Sequence, residues 1–421
     1  MLYLFDLDDT LVKTDDLAGI REAGKTPNSW YSDELLSSLG ERERRIWTTK
    51  QLQRLLEISP LSDGTPSKCG IFSRSPRAYI ETLCSRYFPD FQWDVIIAYE
   101  DVTPLFKPHG HGIRLACEQT ESGNAFMIGD DDGDIKAAYH AVCHTAWFDT
   151  KKDGKFNYYA YDLVPDFIFQ DVDTFLEEMA SPNESYLALE AEETAEKCGT
   201  FRPGNSRTFG FFCPDKQVHK ITAYGRHFSK YAPLQAIRAY HPLTAEIEAC
   251  KTATEFPQRW VDVLLHACRQ QVGYLRNGQR VILTCVPPRP GRDHRLGRLI
   301  SQCEEYFRAS RYFSPSVHFD PNIFRYKNGV RSNSNEHLSR EERFANITEN
   351  LELSEGFRLA AGDKVIVVDD VVTSGSTLIG AEKLLKQNGV GFIKLVAMAK
   401  NVGQIMPEKW RGEQVYLIEN S

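Results

Sequence analysis

Three carboxylates, Asp6, Asp8 and Asp9, stand in FDLDDTLV (residues 5–12), where a short apolar run ends. Like charges this close repel and raise one another's pKa, so the cluster is costly unless a cation or a phosphoryl-transfer task uses it. Three more stretches carry matching chemistry: Ser73 in IFSRS, Lys107 in FKPHG, and Asp130 and Asp134 in GDDDGD. An aspartate carboxylate can attack phosphorus and form an acyl phosphate. A second acid two residues on points the same way from an extended segment and can protonate the leaving oxygen. Mg²⁺ held by carboxylates neutralises the phosphate, while a lysine and a serine steady its equatorial oxygens. Taken singly, each residue has a plainer reading: Ser73 as a turn hydroxyl, Lys107 as a solvated loop lysine, Asp131 and Asp132 as surface charge, His109 and His111 as loop residues, and Asp9 as a bystander to its neighbours.

A second constellation lies at residues 365–377, VIVVDDVVTSGST. A β-branched strand ends in paired acids, and glycine with small hydroxyl residues then opens a helix-like segment. Gly375 lets backbone N–H groups approach an anion, and Thr373, Ser374, Ser376 and Thr377 add hydroxyl donors at a helix start, which makes a phosphate cradle. Asp369 and Asp370 can accept hydrogen bonds from vicinal hydroxyls. Phosphate beside a diol describes a ribose 5-phosphate. No lysine follows the glycine as a P-loop requires, and there is no G-x-G-x-x-G.

The elements that must position these residues are legible as rhythm. LYLF, CGIFS, DVIIAY, AFMIGD, HTAWF and DFIF alternate with helix-like stretches through residue 169, which predicts a buried parallel sheet covered by helices on both faces. In such sheets ligands bind beyond the carboxyl ends of the strands, so the four loaded strand ends would form one cluster. Residues 14–66, polar and helix-compatible, are too long for a simple crossover and suit a small cap. Residues 181–205 turn acidic and then Pro/Gly-containing and are expected to be a linker. RVILTCVP, KVIVVDD, FIKLVAMAK and VYLIE then predict a second parallel sheet, giving domains at 1–180 and 206–421.

The order and spacing of the first set resemble the haloacid dehalogenase (HAD) superfamily over about residues 1–170. That resemblance implies Asp6 as nucleophile, Asp8 as general acid/base, Thr10 as support, and Ser73 and Lys107 as phosphate-binding groups. Asp6, Asp8, Asp130 and Asp134 would make up the Mg²⁺ site, and an acid two residues after the nucleophile favours phosphatase over dehalogenase. The second set is similar to the PRPP-binding motif of type I phosphoribosyltransferases, with Asp369 and Asp370 on the ribose hydroxyls and residues 373–377 on the 5-phosphate. Upstream, RVILTCVPP with its following arginines and LSREERFANITENLEL resemble the ComF-type members, whose R-x-x-N is matched by Arg343 and Asn346. Those proteins often begin with a four-cysteine zinc ribbon; only Cys198 and Cys213 lie comparably, so no zinc is expected. Arg289 and Arg292 in PPRPGRDHR would bind pyrophosphate or contact nucleic acid, His294 beside them is expected to be solvated, and Tyr312, Phe324 and Tyr326 are candidates to stack on a base.

Composition bounds the rest. The chain has 421 residues, 42% hydrophobic and 26% charged, with ten scattered cysteines and no C-x-x-C pair. This suits two soluble domains in a reducing, cytoplasmic setting, with neither a membrane span nor a secretory signal. Residues 1–180 hold 18 Lys+Arg against 31 Asp+Glu, whereas residues 206–421 hold 30 against 22. The net charges of −13 and +8 suggest an acidic module that favours cations and a basic one that favours polyanions. The expected function is therefore a bifunctional Mg²⁺-dependent phosphatase and PRPP-dependent transferase acting on nucleotide-like phosphorylated metabolites. The alternative is a phosphatase governed or targeted by a non-catalytic half that senses PRPP or grips single-stranded nucleic acid; a homodimer is compatible with either.

Overall fold

The computed structural model describes the chain except residues 59–63, 150–162, 181–185, 192–200, 213–216, 277, 312, 328–339, 361 and 404–421. Two compact units emerge: Met1–Ser185 with Ser229–Tyr240, and Tyr186–Phe228 with His241–Val402. Tyr186–Ala191, part of the stretch expected to be a linker, thus packs in the second unit. Glu190 is the reason: its carboxylate is buried against the Arg226 guanidinium at 2.5 Å and His241 at 3.4 Å. Burial opposes its charge, but Arg226 and His241 outweigh that and hold it well below the usual carboxylate range.

The first unit is built on six parallel strands, β1 (Leu2–Phe5), β2 (Lys68–Phe72), β3 (Val95–Ile97), β4 (Ala125–Gly129), β5 (His144–Phe148) and β6 (Phe167–Phe169), in the spatial order β3-β2-β1-β4-β5-β6. All six correspond to the apolar runs that predict them. The order reverses at β1, so a crevice opens beyond its carboxyl end. Register fixes what lies there. Phe5 pairs with Ile71 on one side and Ile128 on the other, so the residues that follow these three strands emerge at one edge.

The 14–66 insert is helical, with Ala18–Ala23, Tyr31–Leu39 and Thr49–Ile58. Leu35, Leu39, Leu52 and Leu55 are buried, the expected one-sided pattern of helices packed on a core. Trp47, fully buried, is set edge-on against Phe5 of β1 at 4.9 Å between ring centroids and against Phe175 at 5.8 Å. The stem of the insert is thereby tied to the strand that delivers the first acids.

The second unit holds β7 (Arg207–Phe212), β8 (Val218–Ala223), β9 (Arg226–Phe228), β10 (Val281–Cys285), β11 (Val317–Phe319), β12 (Phe324–Tyr326), β13 (Leu351–Leu353), β14 (Lys364–Val372) and β15 (Phe392–Val402). Its main sheet runs β11-β10-β14-β15-β8-β7, with β9 beside the end of β15. The sheet is parallel except for β7, which pairs antiparallel with β8, a departure from the purely parallel expectation. The reason is local: only a few residues separate β7 from β8, too few for a crossover. VYLIE, Tyr312, Cys198 and Cys213 lie outside the described residues. No described helix is long and apolar enough to cross a membrane.

Replacing Trp47 by Ala removes a fully buried indole, and a loss of roughly 3–5 kcal/mol is expected from large-to-small core changes. Denaturant unfolding followed by circular dichroism should show the midpoint of the first unit falling accordingly; an unchanged midpoint would mean that the stem does not brace β1.

Candidate functional site

The crevice beyond β1 is a cleft of about 450 Å³ lined by Asp6, Asp8, Asp9, Ser73, Lys107, Asp130 and Asp134 among others. At its floor the Lys107 ammonium, buried, bridges two carboxylates, 2.6 Å from Asp6 Oδ1 and 2.6 Å from Asp134 Oδ1, above the Phe72 ring. Burial works against the charge of Lys107, yet Asp134 and Asp6 prevail and raise its pKa. Thr10 Oγ1 donates to Asp130 Oδ1 (3.2 Å), and Trp147 Nε1 donates to the Asp130 carbonyl (2.9 Å). Asp131 caps the helix Asp132–Ala141 by accepting from Gly133 N, while Asp134 Oδ2 accepts from Asp131 N at 3.2 Å. Gly129 has no alternative here, because a Cβ on it would fall 2.0 Å from Asp134 Oδ2.

Asp6, Asp130 and Asp134 each offer a carboxylate oxygen, all within 4.8 Å of one another. Their electrostatics fit a divalent cation. Desolvation, then the neighbouring acids, pushes Asp130 up to about 8, and Asp134 reaches about 7 through desolvation and Asp6 despite Lys107. Asp6 is raised too, again by burial first. Lys107 alone does not offset three crowded carboxylates, and a hard cation with oxygen ligands would.

Asp8, expected as a further ligand, is not one of this trio. Its carboxylate accepts from Ser75 Oγ (2.5 Å) and Tyr79 OH (3.0 Å) and faces Arg21 Nη1 at 3.3 Å. Asp9, expected to be a bystander, shapes the loop: it adopts a positive φ of 56° and accepts from Thr14 N through Oδ1 (2.8 Å). Ser73 is buried, with its Oγ accepting from Ser75 N. His109 is also buried, edge-to-face with His140 at 4.1 Å, and burial lowers the pair to about 2 and about 3, leaving both neutral. Ser75, Tyr79, Arg21, Lys25 and Arg74 carry no sequence signal of their own, except that Ser75 follows Ser73 at a spacing of two.

The second constellation lies at the end of β14. Gly375 takes a left-handed φ of 76° and leads into the helix Ser376–Gln387, and a Cβ there would press on Ile221, Ile379 and Phe211. Asp369 is raised by desolvation and then by Asp370, while Asp370 is paired with Arg295. A cleft of about 530 Å³ joins Asp369 and Thr377 with Arg289, Arg292, Arg295, Lys251 and Tyr326. Tyr326 lies in that cleft, whereas Phe324 is packed in the core. His294, expected to be solvated, is half-exposed and has a structural task as well: it caps the helix Arg295–Ala309 by accepting from Gly297 N, and its Nε2 faces the Pro321 carbonyl at 3.0 Å. Arg343 and Asn346 are not among the residues lining this cleft. They stand on the helix Arg340–Asn350, where Asn346 is buried and Ile347 closes on Gly380.

Residues 320–415 match the family model described as "Phosphoribosyl transferase domain". Solved structures similar to the chain include a predicted phosphoglycolate phosphatase from Haemophilus somnus 129PT, with 19% identity and a TM-score of 0.28 over 42% of this chain and 96% of that one. A HAD-superfamily hydrolase from Ehrlichia chaffeensis shares 16% identity at a TM-score of 0.28, over 42% and 95%. One of subfamily IA, variant 1, from Geobacter sulfurreducens PCA shares 12% at 0.28, over 42% and 97%. No curated protein matches the chain significantly.

The raised carboxylates set a pH signature. A carboxylate with its folded pKa above the unfolded value favours the folded state at low pH, and that contribution is lost as pH rises through the folded pKa. Without metal, stability of the first unit should therefore fall as pH climbs towards 7–8. Mg²⁺ should restore it, with a Tm increase larger at pH 8.5 than at pH 6; an increase equal at both would detach the cation from these acids.

Proposed function

We propose that the chain is a bifunctional enzyme: a Mg²⁺-dependent phosphomonoester hydrolase in its first unit and a PRPP-dependent phosphoribosyltransferase in its second. The observation that carries the first part is Lys107 locked between Asp6 and Asp134 at the end of β1, beside Asp8 held by Ser75 and Tyr79. Mg²⁺ on Asp6, Asp130 and Asp134 would supply charge neutralisation for the phosphoryl oxygens. Asp6 attacks phosphorus, the ester P–O bond breaks, and an aspartyl phosphate forms. Asp8 gives its proton to the leaving oxygen and, then ionised, takes one from the water that attacks phosphorus and frees Asp6. Ser73 and Lys107 hold the phosphoryl oxygens.

For the second unit the match over residues 320–415 and the acid pair ahead of a glycine-opened helix support PRPP as ligand. Asp369 and Asp370 take the ribose hydroxyls, and residues 373–377 the 5-phosphate. Arg289 and Arg292 bind the departing pyrophosphate as positive charge develops at C1 of the ribose. Any Mg²⁺ needed here would enter with PRPP as part of the substrate and would help neutralise the pyrophosphate charge. A nucleotide-like product of this unit would carry the kind of phosphoester the first unit removes, so the two chemistries suit successive steps.

Asp6→Asn should lower phosphate release by roughly 10³-fold or more while leaving PRPP binding intact. Unaltered release would remove the hydrolase assignment. Asp369→Asn combined with Asp370→Asn should weaken PRPP binding by at least about tenfold in calorimetry, roughly 1.4 kcal/mol; unchanged affinity would sink the second site. Should wild type consume no PRPP with a metabolite extract while phosphoesters still disappear, the basic half is a sensor or a nucleic-acid grip.

A further inference from the structure

Beyond its acid floor, the first cleft has a rim of a different character. Arg21 and Lys25 reach it from the insert and Arg74 from the loop after β2, with Tyr99 and Phe106 as aromatic wall. The floor cation is committed, since Lys107 is buried and divided between Asp6 and Asp134. Two of the rim cations are partly committed as well. Arg21 leans on Asp8 at 3.3 Å, and Lys25 pairs with Glu22 at 2.6 Å above the Tyr99 ring.

Arg74 is different. It is exposed, lines the cleft between Ser73 and Ser75, and makes no ion pair or hydrogen bond among the described residues. Its charge acts on Asp6 and Asp131 only at a distance. A planar guanidinium with all its donors unspent, facing a cleft, is suited to a carboxylate or phosphate held by two parallel hydrogen bonds. The cleft volume of about 450 Å³ falls in the range of small-molecule sites and has room for a group beyond the transferred phosphate.

We propose that this cleft selects phosphomonoesters whose leaving group carries a second anion, and that Arg74, flanked by Arg21 and Lys25, recognises that anion. The inference rests on the hydrolase reading above and names its substrate class. The shared chemistry is a delocalised oxyanion, which a carboxylate and a second phosphate both present. An arginine that merely balanced the acid floor would aid every ester alike, whereas one that grips a remote anion aids only esters that have it.

Three matched probes separate these roles: phenyl phosphate, 4-carboxyphenyl phosphate and 1,4-phenylene bisphosphate, each with Mg²⁺ and the full chain. The wild type should favour at least one of the two esters whose leaving group carries a second anion over phenyl phosphate by about tenfold or more in kcat/KM, the scale of a charged hydrogen-bonded contact. Which of the two gains more tells carboxylate from phosphate. In Arg74→Ala that ratio should collapse to within about threefold, with Arg74→Lys in between because the charge stays and the fork is lost. Hydrolysis of all three at similar kcat/KM by wild type, or an unchanged ratio in Arg74→Ala, overturns the inference and leaves the hydrolase reading standing. Hydrolysis of none of them overturns both.

Discussion

Much of the first unit depends on one buried ammonium. Lys107 sits 2.6 Å from both Asp6 and Asp134, and without it two desolvated carboxylates would face each other at the switch point of the sheet. Breaking such a pair from one side leaves buried charge uncompensated, the costly case for an interior ion pair. The cluster still holds more acid than Lys107 can offset, because Asp130 stands in it too and is pushed up to about 8, so that it gives up its proton readily only when a cation compensates. Crowded acids of this kind destabilise the fold and favour a bound cation. Structure and chemistry therefore draw on the same electrostatic imbalance.

How far the sequence spoke follows from which contacts are local. Asp6, Ser73, Lys107, Asp130 and Asp134 were legible because each follows a strand or its loop, and a parallel sheet gathers such ends at one edge. The sheet itself was legible because its strands are short, apolar and bounded by polar turns. Arg21 and Tyr79 were not, since they reach Asp8 from a helix of the insert and from the helix Arg77–Tyr87, and nothing in their own neighbourhood marks that. Asp9 was misjudged because its effect is conformational: a left-handed residue accepting a backbone N–H shapes the loop that displays its neighbours.

The second unit shows the same division. In VVDDVVTSGST the strand does not end at its acid pair as the sequence suggests but runs on to Val372, still paired with β15, whereas the glycine turn into a helix is as read, with Gly375 at φ 76° where only glycine fits easily. The R-x-x-N pattern marks a helix whose Asn346 is buried, so its placement is a matter of packing that spacing alone does not convey. The pairing of Arg295 with Asp370 was equally silent in the sequence, because it joins residues 75 positions apart. Ligand reach in this cleft is therefore set by arginines whose partners only the fold reveals.

Whether Asp6 becomes covalently phosphorylated is the central question, and borohydride trapping answers it. An aspartyl phosphate is reduced to homoserine, which peptide mass spectrometry can place by position. With p-nitrophenyl phosphate and Mg²⁺ present, homoserine is expected at position 6 and at no other aspartate, and none when the ester is omitted. Steady release of p-nitrophenol with Asp6 recovered unreduced would contradict it.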